Sequence, residues 1–148
     1  MANKAFDPVL FRKYDRLGKE VVRRAFATDF NMLLPGQNPY NMDLFSVSDN
    51  IGMEVEYAAR WTYGNSWPRP LEPAHIPERK RRYIVAALSE GIEVGYAWVR
   101  DDAKLVMYVW LSPELWGELC PDRTDTCYMA REDFICVPPE YYRYKSVS

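Results

Sequence analysis

Hydrophobic positions recur at helical spacing near the start of the chain. Over residues 8–27 they form one apolar stripe, made of Val9, Leu10, Tyr14, Leu17, Val21, Val22, Ala25 and Phe26. Asp7 can cap such a helix, and Pro8 suits its first position. Basic residues cover most of the remaining surface. The pattern predicts an amphipathic helix whose basic face contacts either solvent or phosphates.

An alternating pattern, which is typical of strands, follows a loop rich in Pro, Gly and Asn. Residues 40–47 and 51–60 are predicted to be strands, and a polar turn at residues 48–50 makes them an antiparallel hairpin. If the turn centres near Asp49, positions whose numbers sum to about 97 or 98 lie opposite one another. Asp43 is then expected across from Glu54 or Val55.

The remaining segments predict a sheet with flanking helices. Residues 83–88 are a short apolar run and are interpreted as a buried strand, and residues 95–99 and 105–111 as two further strands. Residues 61–77 are an irregular, Pro-rich connection, and a short helix is expected after Ser112 as far as Leu119. The predicted fold is α/β (α+β): one domain over residues 1–148, with a mixed sheet of four to five strands and a core at about residues 8–111.

Composition excludes some classes of function. The net charge of −2 and the pI of about 5.5 argue against a protein held to nucleic acid by bulk charge alone. No apolar run approaches the ~18 residues of a membrane span, and no signal peptide is apparent. We therefore expect a cytoplasmic protein without a membrane partner. Three irregularly spaced cysteines, at positions 120, 127 and 136, favour reduced thiols over disulfides or zinc.

Acidic residues carry the strongest chemical signal. Glu54 and Glu56 project from one face of the second hairpin strand, and Asp43 lies across from them. Like charges across a sheet repel, so a bound cation or a retained proton is expected. Mg²⁺ prefers carboxylate oxygens and can activate water. The alternative is that these are ordinary acidic side chains on a solvent-facing strand.

The spacing of Asp43 and the Glu54-Val55-Glu56 segment resembles the D…(D/E)-x-K signature of the PD-(D/E)XK nucleases. The order of a helix, a strand with Asp and a strand with Glu-x-Glu also resembles their core. The resemblance implies a restriction-endonuclease-like fold and a nuclease that hydrolyses nucleic acid, DNA in the first instance. It assigns Asp43 and Glu54 as ligands of Mg²⁺ or Mn²⁺ and Glu20 as their support. It also implies that a homodimer can form.

One departure from the family pattern concerns the lysine, which Glu56 replaces in this chain. Glu56 can then act as a metal ligand or as a general base, and a basic residue from elsewhere can supply the missing positive charge. The candidates for supplying that charge and for binding the backbone of nucleic acid are His75, Arg79, Lys80, Arg81 and Arg82. The alternative functions are an inactive nuclease-fold module that binds nucleic acid or a protein, and an unrelated α+β interaction protein.

Overall fold

The computed structural model describes residues 7–31, 33–119 and 134–147. Three α-helices and eight strands lie in these residues. The helices are α1 (Pro8–Ala25), α2 (Arg81–Ser89) and α3 (Pro113–Leu119). The strands are β1 (Leu34–Pro35), β2 (Leu44–Ser46), β3 (Ile51–Ala58), β4 (Ala74–Pro77), β5 (Glu93–Arg100), β6 (Leu105–Leu111), β7 (Phe134–Val137) and β8 (Arg143–Ser146).

Six of these strands form a mixed sheet in the order β1-β2-β3-β5-β6-β8, and β4 pairs with β7 separately. β3 and β5 are parallel, whereas the other neighbours in the large sheet are antiparallel. A parallel pair requires a crossover, which here contains α2. The expected α/β class is confirmed, and the main sheet is wider than the four to five strands predicted.

Helices cover both faces of the large sheet. On one face α1 contributes Val21 and Val22 to a core that also contains Met53 and Ala97. On the other face the core contains Ile84 of α2, together with side chains from α3, β4 and β7. Successive residues of β3 and β5 point alternately to these two cores, as the pleat of a strand requires.

The first helix begins and packs as its sequence predicts. Oδ1 of Asp7 accepts hydrogen bonds from the amides of Val9 at 3.0 Å and Leu10 at 3.2 Å, which caps α1. The helix ends at Ala25, two residues before the expected boundary. A Cβ at Gly18 would lie 3.3 Å from Val55, so the helix runs very close to β3. This close approach brings α1 side chains within reach of the β2–β3 hairpin.

The β2–β3 hairpin has the predicted register. Leu44 pairs with Met53 and Ser46 with Ile51, and in both pairs the residue numbers sum to 97. β2 has three residues instead of the eight expected, because a turn occupies its predicted start. In that turn Asn41 has a φ of 55°, and the Asn38 side chain bonds the backbone of residue 42. The last residue before β2 is Asp43.

The prediction of a strand at residues 83–88 is wrong, since this segment belongs to α2. Its buried residues, Ile84 and Ala87, are three positions apart, while Val85 is 43% exposed. That spacing follows one face of a helix. The predicted irregular connection at residues 61–77 also contains β4, which pairs with the distant β7.

The later elements agree better with their predictions. β5 and β6 include the expected strands at residues 95–99 and 105–111, and α3 ends at Leu119 as expected. The Ser112 hydroxyl accepts a hydrogen bond from the Leu115 amide at 3.1 Å. Cys120 and Cys127 lie outside the described residues. Of the helices in the described ranges, none has the length and apolar character needed to span a membrane.

Candidate functional site

Asp43 is anchored at the mouth of the hairpin. Its Oδ2 accepts a hydrogen bond from the Val55 amide at 2.8 Å, which holds the carboxylate against β3. Only 18% of the side chain is exposed. The register sum of 97 places Asp43 opposite Glu54, as predicted. The hairpin turn, 6 residues further along the chain, therefore determines which acidic side chains meet.

Glu54 is the buried member of the acidic pair. Its side chain is 1% exposed, and its Oε1 has no hydrogen-bond partner among the described residues. Burial, reinforced by the hydrogen bond and the negative charge of Asp43, raises the pKa of Glu54 to about 8. Glu54 therefore keeps its proton at neutral pH when no cation is bound.

The pKa of Asp43 shifts in the opposite direction. Burial by itself opposes its ionisation, but the hydrogen bond from Glu54 and the charge of Lys80 outweigh burial and lower the pKa of Asp43. The Val55 amide and Lys19 act in the same direction. Two carboxyl groups that share a site in this way titrate as a pair. At neutral pH the pair holds one proton and one negative charge.

Two lysines from opposite sides of the sheet reach this pair. Lys80, in the turn before α2, places its Nζ 3.2 Å from Glu54 Oε2 and 3.8 Å from Asp43 Oδ2. Lys19 of α1 places its Nζ 3.8 Å from Asp43 Oδ1 and 3.0 Å from Asp15. Burial lowers the pKa of Lys19, but the bond to Asp15 and the acidic pair raise it overall. We call Asp43, Glu54, Lys19 and Lys80 the charged cluster.

Glu56 lies on the same strand face as Glu54 but has a different environment. Its Oε1 accepts a hydrogen bond from the hydroxyl of Tyr96 at 3.1 Å. Burial and the nearby carboxylates raise the pKa of Tyr96 well above its usual value, so the hydroxyl remains a donor. Within the described ranges, no three His, Cys, Asp or Glu residues are grouped to hold a metal. The expected three-carboxylate patch is therefore a pair, Asp43 and Glu54, and Glu56 binds the Tyr96 hydroxyl instead.

Glu20, the residue that the resemblance implies as support for the acidic pair, contacts Arg23 instead. Glu20 is exposed on α1, and its carboxylate binds Arg23 with an oxygen-to-nitrogen distance of 2.6 Å. Successive residues of a helix point about 100° apart, so only one of Glu20 and its neighbour can turn to the hairpin. In the structure that neighbour, Lys19, contacts Asp43. The helix brings a positive side chain to the site where the resemblance implied a negative one.

The three arginines next to Lys80 lie in environments that differ from the charged cluster; they are Arg79, Arg81 and Arg82. The Arg81 guanidinium binds the carboxylate of Glu78, and that of Arg82 lies 4.8 Å from the ring centre of Tyr83. Arg79 is exposed. These side chains line a shallow depression of about 470 Å³. Arg79, Arg81 and Arg82 therefore make up the outer part of the predicted basic surface, whereas Lys80 belongs to the charged cluster.

His75, the only histidine of the sequence, is half-buried in β4 opposite Cys136. Its predicted contact with nucleic acid stays a prediction. Lys19 and Tyr96 were missed at the sequence level as residues of the site. Lys19 had a usable signal, because it is adjacent to Glu20 on the helix that the resemblance implies as support for the acidic pair. Tyr96 had none, since its position beside Glu54 depends on the pairing of β3 with β5.

The acidic pair is chemically suited to a hard divalent cation. Glu54 presents one buried oxygen that has no partner in the described part of the chain, and Asp43 adds an ionised carboxylate beside it. Mg²⁺ commonly binds one or two protein carboxylates and completes its shell with waters and phosphate oxygens. An arriving cation would replace the proton of Glu54 and compete with the ammonium group of Lys80. Asp43 and Glu54 therefore fit Mg²⁺ or Mn²⁺.

Comparisons with protein-family models, with curated proteins and with solved structures found no match.

Proposed function

We propose that this protein is a Mg²⁺- or Mn²⁺-dependent nuclease that hydrolyses phosphodiester bonds, with DNA as the substrate to test first. The observation that carries the proposal is the position of Lys80, whose Nζ lies 3.2 Å from Glu54 and 3.8 Å from Asp43. Glu56 occupies the position at which the nuclease signature has lysine. The turn before α2 delivers an ammonium group to the acidic pair instead.

The order of elements supports a restriction-endonuclease-like fold. A helix, α1, precedes a hairpin in which Asp43 leads into β2 and Glu54 and Glu56 lie on β3. Further strands then complete a mixed sheet with helices on both faces. This order and these residue positions are those that the resemblance implies, and the fold assignment rests on them.

The charged cluster suggests a division of roles. Asp43 and Glu54 would hold the cation, which when bound would stabilise negative charge on the phosphoryl group and lower the pKa of a bound water. Lys80 would donate a hydrogen bond to a phosphate oxygen and offset its charge. Glu56 would accept a proton from the attacking water, and the Tyr96 hydroxyl at 3.1 Å would orient its carboxylate.

The activity test uses linear duplex DNA and single-stranded RNA, each labelled and incubated with millimolar Mg²⁺ or Mn²⁺. Wild type should cleave at least one substrate, and EDTA should stop the reaction. Asp43→Asn and Lys80→Met should each reduce the rate by about 100-fold or more, as loss of one stabilising group does in other active sites. The control Asp102→Asn changes an exposed acid in the β5–β6 turn and should retain the rate. Cleavage that is unaffected by Asp43→Asn would contradict the assigned site.

A second candidate function is favoured by the charge balance of the cluster. Two carboxyl groups that share a proton carry one negative charge, and the ammonium groups of Lys19 and Lys80 already offset it without a metal. Such a set suits a nuclease-fold module that binds nucleic acid or a protein without cutting. The same assay separates the two functions, because the module would bind nucleic acid or a protein with no metal-dependent turnover.

A further inference from the structure

Helix α1 carries a concentration of positive charge that its packing does not require. Among its eighteen residues are six basic and two acidic side chains, which give the helix a net charge of +4, whereas the whole chain has −2. The buried side of the helix, with Gly18, Val21 and Val22, already packs on the sheet. The charge therefore lies on the rest of the helix surface, where Lys19 and Arg23 also pair with Asp15 and Glu20.

Four of these basic residues form one line along the helix. They are spaced by four, three and four positions, so at 100° per residue they lie within about 60° of one another. We call this line the basic stripe; it consists of Arg12, Arg16, Lys19 and Arg23. At a rise of 1.5 Å per residue it is about 16 Å long, which is the axial length of about five nucleotides of one strand.

The basic stripe meets the charged cluster at Lys19. The Lys19 Nζ lies 3.8 Å from Asp43 Oδ1, and the Lys80 Nζ lies 3.8 Å from Asp43 Oδ2. The stripe on α1 and the exposed Arg79 and Arg82 near the start of α2 thus flank the acidic pair on two sides. A polyanion lying on both surfaces would pass directly over Asp43. This arrangement matches a phosphate backbone better than a compact anion, which would need only one of the two surfaces.

We propose that the basic stripe binds successive phosphates of one nucleic-acid strand and leads that strand over Asp43 and Glu54. The inference rests on the proposed function and adds the surface that holds its substrate. Arg12 and Arg16 contribute planar guanidinium groups that can bind phosphate oxygens bidentately. Phosphate contacts of this kind set position and affinity without reading sequence, so the stripe implies weak sequence preference.

A membrane surface fits α1 less well than nucleic acid does. The exposed apolar residues of the helix are Val9, Leu10 and Phe11. Three consecutive residues point in directions about 100° apart, so they make no single apolar face beside the charges. An interfacial helix needs such a face to enter the lipid headgroup layer. The basic stripe also leads to buried carboxylates, which a lipid surface would not reach.

The test compares the salt dependence of binding for two matched double variants. Arg12→Ala with Arg16→Ala removes two charges from the stripe, and Lys104→Ala with Arg143→Ala removes two exposed charges near the β8 edge. Each protein is titrated with a fluorescein-labelled 20-base-pair duplex and with the matching single strand, in EDTA to prevent hydrolysis. Circular dichroism and the melting temperature establish that each variant is folded.

The basic stripe predicts a specific difference in slope. Each lost contact with a duplex phosphate lowers the slope of log affinity against log salt by about 0.9. Between 50 and 200 mM salt, the affinity of wild type should thus fall about 12-fold more than that of the stripe variant. The edge variant should behave as wild type.

Two outcomes would overturn the inference: equal slopes for the two double variants, or no binding of either nucleic acid. Equal slopes with metal-dependent cleavage intact would leave the proposed function standing. If wild type and both double variants all failed to cleave nucleic acid with metal present, that result would instead count against the proposed function itself.

Discussion

The replacement Glu54→Gln should make the protein more stable at high pH. Below its ordinary pKa of 4.5, Glu54 is protonated in both the folded and the unfolded chain. Between 4.5 and about 8, the unfolded chain releases a proton that the folded chain keeps. The unfolding free energy of wild type therefore falls as pH rises through this window. Gln is uncharged and can still donate the hydrogen bond to Asp43.

The size of the effect follows from the position of the pKa. Each pH unit within the window changes the unfolding free energy by about 1.4 kcal/mol for one proton. From pH 5 to pH 8 the ceiling is about 4 kcal/mol, and we expect about 2–4 kcal/mol because the unfolded chain is still partly protonated at pH 5 and the folded chain is already partly ionised at pH 8. That is a large share of the 5–15 kcal/mol that keeps a typical domain folded.

The assay is urea unfolding of both proteins at pH 5, 6, 7 and 8 with EDTA present. The two should have similar stability at pH 5, and the advantage of Glu54→Gln should grow steadily to pH 8. Glu20→Gln is the control. The hydrogen bond from Arg23 lowers the pKa of Glu20, so its contribution is already complete at pH 5 and stays constant. A constant difference between Glu54→Gln and wild type would refute the assigned protonation.

Three further predictions concern the metal, the lysine and the core. Metal binding at pH 7 should release close to one proton from Glu54, measured by titration calorimetry in buffers of different ionisation enthalpy; zero release would contradict its protonated state. Without metal, Lys80→Met should lower the free energy of unfolding by about 1–3 kcal/mol. Mg²⁺ should raise the melting temperature of this variant more than that of wild type, because the ion replaces the lost ammonium group. Gly95→Ala would put a Cβ 2.9 Å from the buried Met53 and should lower the free energy of unfolding in urea by about 1–3 kcal/mol. A Cβ at Gly117 would meet no atom of the described residues within 4 Å, so Gly117→Ala should not destabilise.

Local signals determined the parts of the fold that sequence predicted well. Asp7 and Pro8 fix the start of α1, and the polar turn around Asp49 fixes the β2–β3 register. Both features depend on residues within a few positions of each other. That register alone brought Asp43 opposite Glu54, so the acidic pair could be predicted before its surroundings were known.

Features that depend on distant contacts could not be predicted in this way. The six apolar residues before Ser89 suit either a buried strand or a helix face, and the burial of Ile84 and Ala87 decides for the helix. β4 forms because it pairs with a segment some sixty residues away. The contact of Lys80 with Glu54 depends on the α2 crossover. Because residues 83–88 are predicted as a strand, the sequence alone does not place Lys80 beside Glu54.

The central claim is that Asp43 and Glu54 form a site for a divalent cation. The most direct measurement is calorimetric titration of Mn²⁺ into wild type and Asp43→Asn at pH 8, where about half of Glu54 is ionised. Asn at position 43 can still accept the hydrogen bond of the Val55 amide, so the hairpin should be retained. The account predicts one bound Mn²⁺ per wild-type chain and at least tenfold weaker binding to the variant. Equal affinities, or no binding to wild type, would contradict it.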